Sequence, residues 1–178
     1  MKQGPAGALG RVFAVVLIAA AAAMVPGTVG SAAAAHTVDV SIVAGKDAGS
    51  GGLDFNGYQN GGMTITVPVG WQVVVHFTNA NDLPHSAIVL AAGADKQAAP
   101  STSPVFAGAA TKNPGGGLPK GAKETFTFEA SKAGTYELVC AVSGHAQSGM
   151  WAKLIVSPTA TAPSVSPAGA ASLTVTGN

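Results

Sequence analysis

The chain has little cysteine and little charge: one cysteine, Cys140, among 178 residues, of which 10% are charged. A single cysteine cannot form an internal disulfide. In an exported protein its thiol must therefore be buried, reactive or bound to a metal. Because a free exposed thiol outside the cell is open to oxidation, the sequence favours the metal.

Long runs of like charge are also missing. Once residues 1–35 are set aside, the nine Lys+Arg lose Lys2 and Arg11, which leaves seven against eight Asp+Glu and a net charge of −1. The absence of a basic stripe argues against a nucleic-acid partner. The absence of an acidic run argues against a strongly charged docking face.

Residues 1–35 have the organisation of a secretory signal peptide. Lys2 and Arg11 precede 14 uninterrupted apolar residues, Val12 to Val25, and small residues before His36 offer an A-x-A cleavage site. The apolar run is short for a membrane-spanning helix, which needs about 20 residues. An uncleaved anchor that tethers the protein to the membrane is the alternative. We expect an exported protein at an extracellular, cell-surface or periplasmic location. Cleavage before His36 would also leave an amine and an imidazole able to chelate copper there, which is a minor alternative.

The residues from His36 to Ser157 are expected to form one all-β domain. Apolar residues alternate with polar ones or gather in short β-branched runs, and no stretch shows a helical period. Seven or so short strands predict an antiparallel sandwich or barrel, and Pro68-Val-Gly70 suits a hairpin. The strand segments are 38–43, 63–67, 71–77, 86–90, 124–128, 135–139 and 150–156.

Two segments depart from the strand pattern. Residues 91–123 are too long for a simple connection, which predicts a functional or mobile loop pinned to the core at Val105 and Phe106. Residues 158–178 are rich in Pro, Ala, Ser and Thr, which predicts a disordered tail, with an edge strand at Leu173 and Val175 as the alternative.

Four side chains suggest a metal site. Cys140 ends a strand, His145 and Met150 follow at intervals of five residues, and His85 lies 55 residues upstream. Taken singly, each has an ordinary explanation as a buried, loop or core residue. Together, a thiolate, two imidazoles and a thioether suit one copper ion that cycles between oxidation states. Gly144 and Gly149 each precede a candidate ligand, where the chain reversal favours positive φ.

The sequence also predicts which residues lie on the surface. His76 is out of step with the apolar residues of its strand, so it should lie on the surface between strands. Residues 141–149 should present the edge of the His145 ring within an apolar surface that includes Ala141, Val142 and Ala146. Such a surface would suit brief contacts with a redox partner.

The chain resembles the cupredoxins, and within them the sulfocyanins, with the rusticyanins more distant. The resemblance rests on Cys-x4-His-x4-Met and on three further segments, and it covers about His36 to Ser157. It implies a Greek-key β-sandwich with one copper ion, held by His85, Cys140 and His145 with Met150 axial. It also implies a monomeric carrier of electrons between respiratory redox proteins, with a terminal oxidase among the candidate partners. The further segments are Val142-Ser-Gly-His-Ala-x-Ser-Gly-Met-Trp151, Phe55-Asn-Gly-Tyr-x-Asn-Gly-Gly-Met-Thr-Ile65 and Pro84-His85-Ser86, and Val105-Phe-Ala-Gly108 also fits.

One position departs from the family pattern. Many cupredoxins have Asn after the first ligand histidine, where this chain has Ser86. The Ser86 hydroxyl could still brace the loop that bears Cys140.

Two other functions compete with electron transfer. A multicopper oxidase needs histidines beside the cysteine, but Val139 and Ala141 flank it, and four histidines in all are too few. A dinuclear copper centre needs a second cysteine, so an enzyme is not expected. The alternative that stays open is an extracytoplasmic copper carrier or storage protein without a redox role.

Overall fold

The computed structural model describes residues 1, 2, 4 and 36–177. The predicted signal peptide or anchor lies almost entirely outside these residues. Within them no helix is long and apolar enough to cross a membrane. The described part contains nine strands: β1 Thr37–Ala44, β2 Thr64–Pro68, β3 Gln72–Asn79, β4 Ile88–Ala91, β5 Lys123–Glu129, β6 Gly134–Val139, β7 Trp151–Ser157, β8 Ser164–Ser166 and β9 Leu173–Thr176.

The strands form two sheets that enclose an apolar core. One sheet has the order β5-β3-β1-β9 and the other has the order β4-β6-β7-β2-β8. Alternate residues of β1, β2, β3 and β7 are buried, as the period of two in the sequence predicts. The predicted all-β class is confirmed, but both sheets are mixed, because β1 pairs parallel with β3 and β2 pairs parallel with β7.

The predicted hairpin at Pro68-Val-Gly70 is wrong. β2 and β3 belong to different sheets, and the connection between them crosses the end of the sandwich. Val69 N–H donates to the Ser157 carbonyl of β7, and Gly70 N–H donates to the Ala130 carbonyl beyond β5. The chain reverses direction between β1 and β2 and again between β2 and β3. β1 and β3 therefore run in the same direction.

The expectation of disorder after residue 157 is also wrong for two stretches of that segment. β8 pairs with β2 and β9 pairs with β1, so the segment adds an edge strand to each sheet. Asn56 fixes the turn between them, because its side-chain amide donates to the Ala170 carbonyl at 2.8 Å. Backbone pairing thus orders a segment whose side chains have little apolar surface to bury.

Part of residues 91–123 runs along the free edge of β4, where Val89 N–H donates to the Ala109 carbonyl. Phe106 is buried in the main core and stacks on Phe128 of β5, with ring centroids 5.5 Å apart, whereas the Val105 side chain is 43% exposed. Of the two predicted anchors, Phe106 is therefore confirmed and Val105 is wrong as a side-chain anchor, although its N–H bonds to the Val89 carbonyl. A smaller apolar cluster beneath the segment contains Ile88, Leu90, Ala94, Val139, Ala141 and Ala146.

Candidate metal centre

The four predicted ligands reach one end of the sandwich from different elements. His85 precedes β4, Cys140 directly follows β6, and Met150 directly precedes β7. The chain between β6 and β7 folds into a tight loop in which His145 N–H donates to the Val142 carbonyl and Met150 N–H donates to the His145 carbonyl. Gly144 and Gly149 have φ of 84° and 98°, as predicted.

The thiol and both imidazoles converge. The Cys140 Sγ lies 3.4 Å from His145 Nδ1 and 4.0 Å from His85 Nδ1. One ligand atom from each of the three residues lies within 4.8 Å of the others. The two rings are 5.1 Å apart between centroids and tilted by 57°. The three side chains can therefore point donor atoms at a common centre.

Met150 lies beside this group. It is fully buried in the same apolar cluster as Cys140, and its carbonyl accepts a hydrogen bond from Cys140 N–H at 3.1 Å. The backbone pairing places Met150 beside Cys140 at the end of β6. His85, Cys140, His145 and Met150 thus lie near one another at one candidate site.

Burial sets the protonation of the candidate ligands. Desolvation lowers the pKa of His85 from 6.5 to about 4, with a further decrease from nearby His145 and an opposing contribution from Asp54. Burial also lowers the pKa of His145. Both imidazoles are therefore neutral near pH 7, with lone pairs free to bind a cation.

Burial shifts the pKa of the Cys140 thiol upwards, whereas it lowers the pKa of the two imidazoles. Hydrogen bonds from the Ser86 and Val142 backbones and from the Ser86 hydroxyl oppose this rise. Without a metal the group is a neutral thiol near pH 7. A bound metal cation would deprotonate it, because coordination stabilises the thiolate directly.

Ser86 braces the cysteine as the sequence suggested. Its Oγ accepts a hydrogen bond from Ala141 N–H at 3.0 Å, and its own N–H points at the Cys140 Sγ at 3.4 Å. The Ser86 Oγ is also 3.7 Å from that sulfur. Because the oxygen already accepts from Ala141, its hydrogen is free to donate to a thiolate.

The donor set fits copper. Bonds of about 2.1 Å to nitrogen and about 2.3 Å to sulfur, the lengths that these donors have to Zn²⁺, would separate two donors at about 120° by about 3.8 Å. The observed separations of 3.4 and 4.0 Å lie on either side of that value. A buried set of two imidazoles, one thiolate and a thioether is the type that selects copper in blue-copper sites.

The predicted apolar surface around His145 is partly wrong. Ala141 is 4% exposed and Ala146 is 1% exposed, because both pack into the small cluster under residues 91–123. Val142 and His145 are half-buried and do reach the surface. Nearby exposed apolar side chains belong to Leu83 and Pro84.

The other two histidines lie apart from the centre. His76 is exposed on β3 as predicted, with Nε2 2.6 Å from the Asp39 carboxylate of β1 and Nδ1 3.2 Å from the Thr125 hydroxyl of β5. His36 stacks on Trp71, with ring centroids 4.8 Å apart. Copper chelation by a free His36 amine stays a sequence prediction.

Several residues that support the centre were missed from the sequence. Leu118 pairs with His85 through two backbone hydrogen bonds, and Asn60 N–H donates to the Gly149 carbonyl beside Met150. The glycine run Gly115 to Gly117 was the only sign in residues 91–123 of a close approach between backbones. No pattern in the sequence indicated which ligand it would approach.

This β-sandwich and this cluster of donors define a cupredoxin, a class of copper proteins that generally transfer electrons and are generally not enzymes. Residues 27–166 match the family model described as the Sulfocyanin (SoxE) domain, so the chain belongs to the sulfocyanin family.

Individual relatives agree with this assignment. Over 133 residues the chain is 35% identical to sulfocyanin of Sulfolobus acidocaldarius, an alignment that covers 71% of this chain and 67% of that protein. Rusticyanin of Acidithiobacillus ferrooxidans is also 35% identical, over 97 residues that cover 52% of this chain and 59% of rusticyanin. A 1.27 Å structure of rusticyanin from Thiobacillus ferrooxidans superposes with a TM-score of 0.51 at 30% identity, over 68% of this chain and 77% of that one.

Proposed function

We propose that this protein carries single electrons between respiratory redox partners by cycling one copper ion between Cu(I) and Cu(II). His85, Cys140, His145 and Met150 would hold the ion, with the Met150 thioether as the weakest donor. The observation that carries the proposal is the convergence of Cys140 Sγ with both Nδ1 atoms inside a folded β-sandwich.

The rigidity of the site supports electron transfer. The ligands come from the ends of hydrogen-bonded strands and from one short loop, so they can keep their positions when the charge of the ion changes. Soft sulfur donors favour the reduced ion and imidazoles accept the oxidised one. A bound copper ion would supply the one-electron couple, and the protein would hold its donors in place and exclude water.

His145 offers the route for the electron. It is half-buried, whereas the side chains of the other three candidate ligands are buried. Leu83 and Pro84 are exposed just before His85, and Leu118 and Val142 are half-buried beside them. We propose this apolar rim around His145 as the surface that a redox partner contacts briefly.

The burial of the donors argues against a copper carrier or store. A protein that passes copper onward needs donors that a partner can reach, but Cys140 and His85 are fully buried. The exported location rests on residues 1–35, whose charged start and apolar run suit a signal peptide or an anchor.

Copper titration of the full chain tests the proposal. One equivalent of Cu(II) should give an intense blue thiolate-to-copper absorption that bleaches and returns on one-electron reduction and reoxidation. Copper should bind the folded state and raise the free energy of unfolding by about 2.7 kcal/mol at a free concentration a hundredfold above Kd, which raises Tm. The Cys140→Ser variant should show neither effect. A colourless complex that readily gives its copper to a chelator would favour the carrier instead.

A further inference from the structure

Residues 92–122 connect β4 to β5, pair in part with the free edge of β4, and contact both histidine-bearing segments. We infer that this segment is a positioning frame that fixes His85 and the His145 loop against the thiol. The inference rests on the proposed function, since it concerns the same centre. It assigns a role to a stretch that lies between strands in the chain and contributes no ligand.

The first contact holds His85. His85 N–H donates to the Leu118 carbonyl at 3.1 Å, and Leu118 N–H donates to the His85 carbonyl at 2.7 Å. The Asn79 side chain also donates to the Leu118 carbonyl at 2.8 Å, which ties the frame to the end of β3. Both backbone groups of His85 are thereby fixed, so the imidazole projects from a clamped position.

Gly117 makes this contact possible. A Cβ at Gly117 would lie 2.9 Å from the nitrogen of His85, from the carbonyl carbon of Pro84 and from Cγ2 of Val142. Such a separation is too short for carbon atoms, so any side chain would push the frame away from His85. The glycine allows the backbone of the frame to lie directly against the ligand.

The second contact holds the His145 loop. The Ala98 carbonyl accepts Gly144 N–H at 2.6 Å and the Ser143 hydroxyl at 3.2 Å. Both donors come directly before His145 in the chain. The frame therefore fixes the loop at the residues that lead into the second imidazole.

A buried carboxylate fixes this end of the frame. Glu137, which is 6% exposed, accepts the N–H groups of Gly93 and Asp95 at 2.9 Å each. Glu137 lies on β6, three residues before Cys140. The strand that bears the thiol thus anchors the frame, and the frame in turn anchors the loop of His145.

These contacts have a consequence for the copper centre. The candidate ligands His85 and His145 lie 60 positions apart, yet one segment bonds to the backbone beside each of them. A site that must change little between oxidation states needs such support, because its ligands cannot depend on the metal for their arrangement. Variants that weaken the contacts of the frame should therefore change the absorption and the reduction potential of the copper centre, although every candidate ligand is kept.

A matched pair of glycine variants tests the first contact in the full chain. Gly117 and Gly121 both have positive φ, 71° and 78°, so alanine is similarly strained at each. A Cβ at Gly121 would meet no atom within 4 Å. Gly117→Ala should shift the thiolate-to-copper absorption and the reduction potential, and it should speed amide exchange at Leu118 at least tenfold in the metal-free protein. Gly121→Ala should leave all three near wild type and should lose only the Tm that the strain of positive φ causes.

A carboxylate pair tests the second contact and covers the case in which Gly117→Ala fails to fold. Glu137→Gln replaces one acceptor oxygen with an NH2 group that faces an N–H donor. Amide exchange at Gly144 should become at least tenfold faster, with a shifted absorption band. Glu129→Gln, an exposed change on β5, should do neither. If the members of both pairs behave alike, the segment only closes the fold and the inference is wrong.

Failure of this inference can be told apart from failure of the proposed function. A wild-type protein that binds no copper in a blue form overturns the function, while the amide-exchange comparison in metal-free protein still tests the frame. A blue wild type whose paired variants do not differ overturns the frame alone.

Discussion

The hydroxyl of Ser86 lies between the backbone of Ala141 and the sulfur of Cys140, 3.0 Å from the amide nitrogen of Ala141 and 3.7 Å from Sγ of Cys140. It holds the first residue of the ligand loop and can also donate a hydrogen bond to a thiolate. A donor aimed at a thiolate stabilises its negative charge, so the sulfur would give less charge to an oxidised copper ion. With copper bound, this contact would favour Cu(I).

Replacing Ser86 should therefore lower the reduction potential. Ser86→Ala removes one hydrogen bond worth about 0.5–1.5 kcal/mol, which corresponds to about 20–60 mV for one electron. Cyclic voltammetry measures the change. Ser148→Ala, an exposed change in the same loop, should leave the potential where it is. An unchanged potential in Ser86→Ala would show that the hydroxyl only braces Ala141.

The axial position should respond in opposite directions to two substitutions. Met150→Gln introduces an oxygen donor that favours Cu(II); a hundredfold preference lowers the potential by about 120 mV. Met150→Leu removes the thioether and should raise the potential. Voltammetry of both variants, with the blue band as a check that the other ligands are intact, measures the effect. Equal potentials in all three proteins would exclude Met150 as a ligand.

The metal-free protein should lose stability as the pH falls from about 6.5 through 4. The pKa of His85 is about 4 in the folded protein and 6.5 ordinarily, so in this window the unfolded chain binds a proton that the folded one excludes. The free energy of unfolding should fall by about 3 kcal/mol from this residue, with a loss in the same direction from His145. Denaturant titrations at several pH values measure the slope.

A variant assigns that pH dependence. His85→Gln should remove most of the slope that the wild type shows. Equal slopes in the wild type and in His85→Gln would show that burial of this imidazole is not what limits stability in acid.

The proposed docking rim predicts a local effect on electron exchange. Leu83 is 42% exposed just before His85, and Val69 is 40% exposed beyond β2, at the opposite end of the strands. Leu83→Asp should slow electron exchange with an apolar-faced redox partner about tenfold without bleaching the site, because a charge would be desolvated on contact. Val69→Asp should have no effect. Stopped-flow rates compare them, and equal rates would place docking elsewhere.

The candidate site was predictable because the chemistry and spacing of three of its members are local features of the sequence. Cys140, His145 and Met150 lie within eleven residues, and a strand that ends in a lone cysteine is readily recognised. His85 lies 55 residues before Cys140, so only a known fold could place it near the other three. The resemblance to cupredoxins supplied that fold. The strands were predictable for a similar reason, since alternation along β1 or β3 depends only on near neighbours.

The predictions that were wrong depend on contacts between residues far apart in the chain. Alternation in β2 and β3 says that each has a buried face, but not that the two faces belong to different sheets. Ala146 looked like surface because a small residue in a loop usually is, yet Ala94 and Ile88 contribute to the cluster that covers it. The role of residues 91–123 depends on contacts with His85 and Gly144, which a composition of Ala, Gly and Pro does not reveal.

The two short strands after residue 157 also cover the edges that β1 and β2 would otherwise expose. β8 lies along the edge of β2, and β9 lies along the edge of β1, opposite the side of β1 that pairs with β3. A chain cut after Ser157 would keep every copper donor but would bare two rows of unsatisfied peptide groups. Uncovered edges of this kind recruit other chains, so truncation should promote self-association.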